Sequence, residues 1–129
     1  MASFVQPLLR EGVSGQTIAN ARNGRVVADR LMTAFDSASR RKGLLQQDSM
    51  ADGSALIIAP SNAIHTFFMK FAIDVAFVTK DGRVLKTRTA MSAWRIAASL
   101  RAFAVVELPA GALARADITR GDRLVIRRA

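Results

Sequence analysis

Turn sequences recur between short apolar segments, and they restrict the folds open to this chain more than any other feature. Asn23-Gly24 separates two segments with strand-like patterns, 17–22 and 25–31. Asparagine and glycine readily adopt the positive φ angles of a type I′ turn, so these segments are predicted to form a β-hairpin. Lys80-Asp81-Gly82 gives a similar signal between two further strand-like segments.

The remaining elements are short, and they predict a mostly β fold. One helix is predicted over 36–47, with Asp36 or Ser37 as its N-cap, and a turn or two of helix over 111–116. Strands follow one another through hairpin turns and not through βαβ crossovers. This order predicts a mostly β (α+β) fold, a compact antiparallel β barrel or sandwich with one or two short helices. Further strands are predicted at 55–58, 65–70, 104–108 and 123–127.

Length and composition predict one self-sufficient domain. The chain has 129 residues, of which 50% are hydrophobic and 22% charged, as in ordinary globular proteins. Residues 1–15 lack periodicity and contain Pro7, Gly12 and Gly15. We therefore expect a loosely ordered N-terminal leader over 1–15 and a single β-rich domain over 16–129.

Several classes of site are excluded or disfavoured by what the sequence lacks. It contains no cysteine and only one histidine, which removes disulfides and argues against a structural zinc site. No phosphate-binding glycine loop, dinucleotide fingerprint or nucleophile elbow occurs, so no cofactor or metal is expected. The N-terminus lacks the basic region of a signal peptide, and no apolar run approaches the ~20 residues of a membrane span. These features predict a cytoplasmic protein with no membrane span.

The positive charge of the chain has two interpretations. The net charge is +9, and the segment 83–106 carries five basic residues without an acidic one. Such a surface attracts phosphates or other anions. Arginine-rich surfaces are also common in bacterial proteins, where the net charge supports solubility. Binding to single-stranded nucleic acid needs exposed aromatics between basic residues. The chain has no tyrosine and most phenylalanines fall in core-like strands, so nucleic acid is not favoured as a partner.

The stretch H-T-F-F-M-K-F-A-I-D, residues 65–74, contains the only histidine. Large apolar residues alternate onto both faces, which predicts a central strand buried on both sides. Lys70 and Asp74 bracket the turn that follows and could form a pair. In a tight hairpin His65 lies ~13 Å from Asp74 at ~3.4 Å per residue, too far for a catalytic hydrogen bond. The alternative for His65 is a structural role, with its ring bonded to a backbone carbonyl.

Trp94 and Arg95 lie in an irregular basic segment. The indole could form one wall of a ligand groove, with Arg95 binding an anion. It could equally close the end of a barrel, where a large aromatic side chain buries much surface.

Three functions follow from these candidates. The leading hypothesis is a non-enzymatic binding or accessory module. Its partner is an unknown small or anionic ligand, held at a rim formed by His65, Lys70, Asp74, Trp94 and Arg95. The first alternative is a small hydrolase-like enzyme with His65 as general base. The second is a basic nucleic-acid-associated protein. Oligomeric state is left open by the sequence.

Five sequence blocks carry a resemblance to a known family. They are I-H-T-F-F-M-K-F-A-I-D-V-A-F-V at 64–78, K-D-G-R-V at 80–84, G-L-L at 43–45, V-E-L-P-A-G at 106–111 and G-D at 121–122. Through them the chain resembles, over about residues 16–127, the uncharacterised prokaryotic family known as domain of unknown function 192. The resemblance implies a small, mainly antiparallel β structure with short helices, and it assigns no catalytic residues to this chain. Alanine stands at position 72, where the family often has proline.

Overall fold

Strands dominate the protein, as the sequence predicts. The structure, a computed structural model, describes residues 3–45 and 47–129. Within them the helices are α1 (Gln6–Glu11), α2 (Ser37–Lys42) and α3 (Ala112–Arg115). The strands are β1 (Gln16–Asn20), β2 (Val26–Ala28), β3 (Arg30–Ala34), β4 (Ser54–Ile58), β5 (Ala63–His65), β6 (Ile73–Val78), β7 (Val84–Met91), β8 (Ile96–Ala98), β9 (Ala104–Pro109) and β10 (Leu124–Arg128). No helix in these ranges is long and apolar enough to cross a membrane.

A five-stranded sheet, in the order β3-β4-β9-β6-β7, separates two apolar cores. Successive residues of a strand point to opposite faces, so β9 contributes Val106 and Leu108 to one core and Val105 to the other. The first core lies beneath α1, α3 and the three-stranded sheet β10-β1-β2. The second contains residues of β5, β8 and the loop after α2. The mostly β fold is confirmed in its sandwich form, and the sheets do not close into a barrel.

Both predicted hairpins are present because their turns are locally determined. β1 and β2 pair across Asn23-Gly24, and β6 and β7 pair across Lys80-Asp81-Gly82. At Gly82 φ is +91°, and an added Cβ would collide with the carbonyl oxygen of Leu124, so glycine is required there. One connection differs from the prediction. β3 and β4 are parallel neighbours joined by α2, which is a crossover.

The N-terminal segment differs from the loose leader predicted for it. Within residues 3–15, α1 is formed and Phe4, Val5 and Leu8 are buried in the first core. The amide of Phe4 also donates to the carbonyl of Lys80, at 2.6 Å. Burial of three large apolar side chains offsets the entropy lost on ordering the segment.

The central strand predicted over 65–70 is wrong. β5 ends at His65, and the chain then turns through Thr66–Met69 before β6 begins at Ile73. Phe68 has φ of +66°, outside the β region, and is 70% exposed, whereas a central strand buried on both sides would bury it. The chain turns because Thr66 bonds to the loop before β8 and not to a sheet neighbour.

A polar network fastens β1 to the loop before β10. The buried Asp122 carboxylate accepts from Arg22 Nε at 2.7 Å, from Asn20 Nδ2 at 3.0 Å and from the Thr119 amide at 2.9 Å. The Arg22 hydrogen bond is the main cause that lowers the pKa of Asp122 below its ordinary value. The network therefore stabilises the fold only while Asp122 is ionised.

We expect Asp122→Asn to destabilise the protein by about 2 kcal/mol at pH 7, since charge-assisted bonds are lost. The folded-state pKa is the lower one, so this contribution is present above the unfolded-state pKa and is lost as pH falls below about 4. Urea unfolding at pH 7 and pH 3 measures both effects. Asp117→Asn is the control, because Asp117 contacts the same arginine from an exposed position. Equal losses in the two variants would contradict the assignment.

Candidate functional site

A cavity of about 620 Å³ opens between α2 and the β5 segment, on one face of the five-stranded sheet. Much of its lining is apolar and comes from the second core. Its polar lining is concentrated in a basic cluster on α2, one imidazole and one carboxyl group. The apolar lining residues include Leu44, Leu45, Ile58, Ile64 and Met69, and the polar ones include Arg40, Arg41, Lys42, His65 and Glu107.

Glu107 is the least expected residue in this cavity. It lies in the middle of β9 with 3% of its surface exposed, and its cross-strand neighbours are the apolar Leu56 and Val75. Among the described residues no side chain or amide forms a hydrogen bond or ion pair with its carboxyl group. Loss of solvation raises the pKa of Glu107 from 4.5 to about 7. The cavity therefore contains a carboxyl group that changes protonation near neutral pH.

The basic cluster is carried by the last turn of α2. Asp36 begins this helix as its N-cap and accepts from the Ser39 amide at 2.8 Å, which confirms the first of the two predicted caps. Arg40 donates to the Phe35 carbonyl at 2.8 Å and is held close to the helix. Arg41 and Lys42 are exposed, and neither forms an ion pair with any residue that the structure describes. Two cationic groups thus stand at the cavity without a counter-ion among the residues that the structure describes.

His65 lines the cavity from the opposite side, at the end of β5. Its ring is exposed, and Nδ1 accepts a hydrogen bond from the Phe67 amide at 3.3 Å. An accepting Nδ1 places the proton of the neutral ring on Nε2. The structural alternative from the sequence, a ring bonded to a backbone carbonyl, is not what the described contacts show.

An aromatic cluster adjoins His65 and consists of Phe67, Phe68 and Trp94. The ring of Phe67 lies 4.9 Å from His65 and 5.4 Å from Trp94, and Phe68 meets Trp94 edge-on at 4.6 Å. Trp94 is 56% exposed, so the interpretation of its indole as a buried plug is wrong. Phe68 and Trp94 both have positive φ, at +66° and +65°, which is rare for bulky residues and costs about 1–3 kcal/mol each.

Thr66 fixes this arrangement from beneath. It is fully buried, its hydroxyl donates to the Ser92 carbonyl at 2.6 Å, and it accepts from the Arg95 amide at 2.9 Å. Its backbone carbonyl also accepts from the Trp94 amide at 3.1 Å. One threonine therefore holds both strained segments together.

Thr66→Val is expected to lower the free energy of unfolding by about 2 kcal/mol, because valine keeps the shape of the buried side chain but breaks its bonds to the Arg95 amide and the Ser92 carbonyl. The loop bearing Trp94 should loosen, and collisional quenching of the tryptophan should increase. Denaturant unfolding and acrylamide quenching measure the two effects. Thr33→Val is the control, since Thr33 is half-buried and its hydroxyl has no bond within the described ranges. Similar behaviour of both variants would contradict this role.

The other three predicted site residues lie away from the cavity lining. The predicted Lys70–Asp74 pair is wrong, because Lys70 pairs with Asp48 at 2.8 Å on the surface. Asp74 is buried and accepts from three amides, those of Ala90, Gly111 and Leu113, at 2.8–3.0 Å. Arg95 is exposed beside Trp94. A binding role for Lys70, Asp74, Trp94 and Arg95 stays a prediction, and only His65 of the five lines the cavity.

Sequence reasoning missed Glu107 and the α2 cluster as site residues. Each had a signal. Glu107 is the single charged residue in the otherwise apolar run A-V-V-E-L-P, and Arg40-Arg41-Lys42 is the tightest basic cluster in the chain. Neither pattern shows that Glu107 and the basic cluster line the same cavity. In the part of the chain that the structure describes, no three His, Asp or Glu side chains are grouped as metal ligands would be.

The protein is a small β sandwich with a cavity on one face of its five-stranded sheet. Its family is identified by its similarity to known sequences. Residues 18–126 match the model of the family DUF192, described as an uncharacterized ACR. The chain belongs to this family, as its sequence blocks suggest. No curated protein sequence matches it.

Two solved structures share the fold. One is a protein of unknown function from Novosphingobium aromaticivorans DSM 12444, with 22% identity and a TM-score of 0.73, covering 84% of this chain and 81% of the other. The second comes from Sinorhizobium meliloti 1021 and has been provisionally described as a transcription regulator. It has 23% identity and a TM-score of 0.73, covering 84% and 89%. At these identities the likeness concerns the fold alone.

Proposed function

We propose that this protein is a non-enzymatic binding module for a small anionic amphiphile, a molecule with an apolar body and one anionic group. The observation that carries the proposal is the composition of the cavity. Its walls are mostly apolar, and Arg41 and Lys42, which form no ion pair within residues 3–45 and 47–129, stand on one side of it. A cytoplasmic bacterial setting is part of the proposal, and both structures that share the fold come from bacteria.

The apolar walls provide affinity for the body of the ligand. Leu44, Ile64 and Met69 are almost fully buried, so the cavity is preformed by packed side chains. Its volume of about 620 Å³ is within the usual range for small-molecule sites. Burial of an alkyl chain contributes about 0.8 kcal/mol per methylene group.

The orientation of the ligand is determined by the charges that line the cavity. Arg41 and Lys42 attract a phosphate or carboxylate group. Glu107 on the cavity wall repels an anion when ionised but donates a hydrogen bond when protonated, and both forms are populated near pH 7. The ligand therefore places its anionic group toward α2 and its apolar body beside Glu107.

Thermal-shift measurements with matched eight-carbon probes test the proposal. Octyl phosphate and octanoate should raise the melting temperature, octyl phosphate more strongly, because a ligand that binds only the folded state stabilises it. Octanol should have a smaller effect. The double variant Arg41→Ala/Lys42→Ala should lose the preference for the anionic probes, whereas Arg127→Ala, an exposed arginine on β10, should keep it. An equal response to all three probes, or none, would refute the proposal.

A second candidate is a small hydrolase-like enzyme with His65 as general base. One observation favours it, since His65, whose imidazole could act as a general base, lines the same cavity as the buried carboxyl group of Glu107. It predicts turnover of ester or phosphoester substrates that is lost in His65→Gln, whereas a binding module keeps its probe affinity in that variant.

A further inference from the structure

An exposed apolar surface begins at Phe68 on the edge of the cavity and extends away from it over residues that do not line the cavity. β5 and β8 form a two-stranded sheet, in which His65 pairs with Ile96 and Ala63 with Ala98. All four side chains are exposed, and Ile96 is 66% exposed. Next to this sheet stand Phe68 and Trp94, which are 70% and 56% exposed, and beyond it Leu100, 87% exposed. We call Phe68, Trp94, Ile96 and Leu100 the apolar patch.

The conformation of the patch is held in place by specific contacts. Phe68 and Trp94 both adopt left-handed backbone conformations, and Thr66 holds the two segments together by buried hydrogen bonds. Strain of this kind persists only where the surroundings impose it, and it concentrates at functional sites. Several large exposed apolar side chains on neighbouring segments are typical of interaction sites.

The charge around the patch is positive. Trp94, Ile96 and Leu100 lie within the segment 83–106, which contains no acidic residue, and the net charge of the chain is +9. Lys86 reaches the patch sheet, where its ammonium donates to the Ala98 carbonyl at 2.9 Å, and Arg95 is exposed beside Trp94. A suitable partner therefore presents apolar groups at or just below its surface, with anionic groups around them.

We propose that the apolar patch docks onto the surface of an anionic lipid bilayer. Tryptophan and phenylalanine favour the boundary between headgroups and acyl chains, and lysine and arginine are attracted to anionic headgroups. Ile96 and Leu100 are aliphatic and suit insertion among acyl chains. Single-stranded nucleic acid fits less well, because Trp94 already contacts Phe67 and Phe68 and because base stacking makes no use of exposed aliphatic side chains.

The chain contains a single tryptophan, so Trp94 reports directly on the patch. Its emission should shift to shorter wavelength with phosphatidylcholine vesicles that contain phosphatidylglycerol, and brominated lipid should quench it. Pure phosphatidylcholine vesicles should have a much smaller effect, and added salt should weaken binding. No shift with anionic vesicles overturns the proposal. A shift with a single-stranded oligonucleotide but not with vesicles also overturns it and assigns the patch to nucleic acid.

A matched pair of variants distinguishes insertion from general electrostatic attraction. Ile96→Asp should reduce vesicle affinity by about tenfold or more, since it removes an inserted side chain and adds a charge. Val26→Asp changes net charge equally at a strand residue that is 58% exposed on the three-stranded sheet, across the first core, and should stay within about twofold. Equal losses in both variants overturn the docking role. So does self-association of the wild-type chain in gel filtration that Ile96→Asp abolishes, because a second copy would then cover the patch. Neither residue lines the cavity, so this result is independent of the ligand probes.

Discussion

Asp74→Ala is expected to be the most destabilising of the substitutions considered, lowering the free energy of unfolding by about 4 kcal/mol. The Asp74 carboxylate accepts from the amides of Ala90, Gly111 and Leu113, and so ties the end of β7 and the start of α3 to β6. Alanine leaves all three amides without their acceptor, and the Leu113 amide is buried away from water. A loss of this size is a large part of the roughly 5–15 kcal/mol that stabilises a domain.

Urea unfolding followed by circular dichroism measures this effect, and the melting temperature should fall by more than about 10 °C. Asp48→Ala is the matched control. The Asp48 carboxylate is 84% exposed and pairs only with Lys70, so its loss should cost less than about 1 kcal/mol. If Asp74→Ala were as mild as Asp48→Ala, the three-amide anchor would be contradicted.

Glu107→Gln should make the protein more stable above neutral pH, by about 3 kcal/mol at pH 8. Burial raises the pKa of Glu107 from 4.5 to about 7 in the folded protein. Because each tenfold change in proton affinity corresponds to about 1.4 kcal/mol, ionising this buried carboxyl costs about 3 kcal/mol of stability. Glutamine has the shape of the protonated side chain and cannot ionise.

The sign of the pH dependence follows from the raised pKa. Below pH 4.5 the carboxyl group is protonated in both the folded and unfolded states, and no stability is lost. Between pH 4.5 and about 7 the unfolded state ionises while the folded state does not, so stability falls as pH rises and levels off above about 7. Glu107→Gln should remove this decline, and the two proteins should be similar near pH 4.5.

Glu11→Gln provides the control for this experiment, because Glu11 is the only other glutamate and its side chain is 50% exposed. It should change stability little and leave the decline between pH 4.5 and 7 intact. Parallel stability curves for the wild type and Glu107→Gln across this range would show that Glu107 is solvated like an ordinary glutamate.

Local chemistry explains which elements could be predicted. Asn23-Gly24 and Lys80-Asp81-Gly82 impose turn geometry within a few residues, so both hairpins follow from the sequence alone. The Asp36 cap is equally local, and β4 consists of Ser54 followed by four apolar residues, all of them buried. These elements could be predicted without knowing which distant residues they contact.

The stretch 65–70 could not be predicted because its conformation depends on distant residues. Its apolar alternation favours a strand, but Thr66 bonds to Ser92 and Arg95, 26 and 29 positions away. Those bonds outweigh the local preference and turn Phe68 toward solvent. The same limit applies to Asp74, which the sequence places at a turn and the structure places beneath α3.

The candidate site combines predictable residues in an arrangement that the sequence does not reveal. His65 could be singled out because it is the only imidazole. Glu107 becomes a buried titrating group only because β4 and β6 flank β9 on both sides. The α2 cluster meets it only because α2 and the loop after it cover that face of the sheet.

The measurement that tests the central claim most directly is the titration of Glu107 by ¹³C NMR, with and without octyl phosphate. Protein labelled at the glutamate side chains gives only two carboxyl signals, from Glu11 and Glu107. We predict a pKa near 7 for one signal in the free protein and a further rise when octyl phosphate fills the cavity, because the probe removes water and adds negative charge. A Glu107 signal that titrates near 4.5, or one that octyl phosphate does not move, would contradict the account.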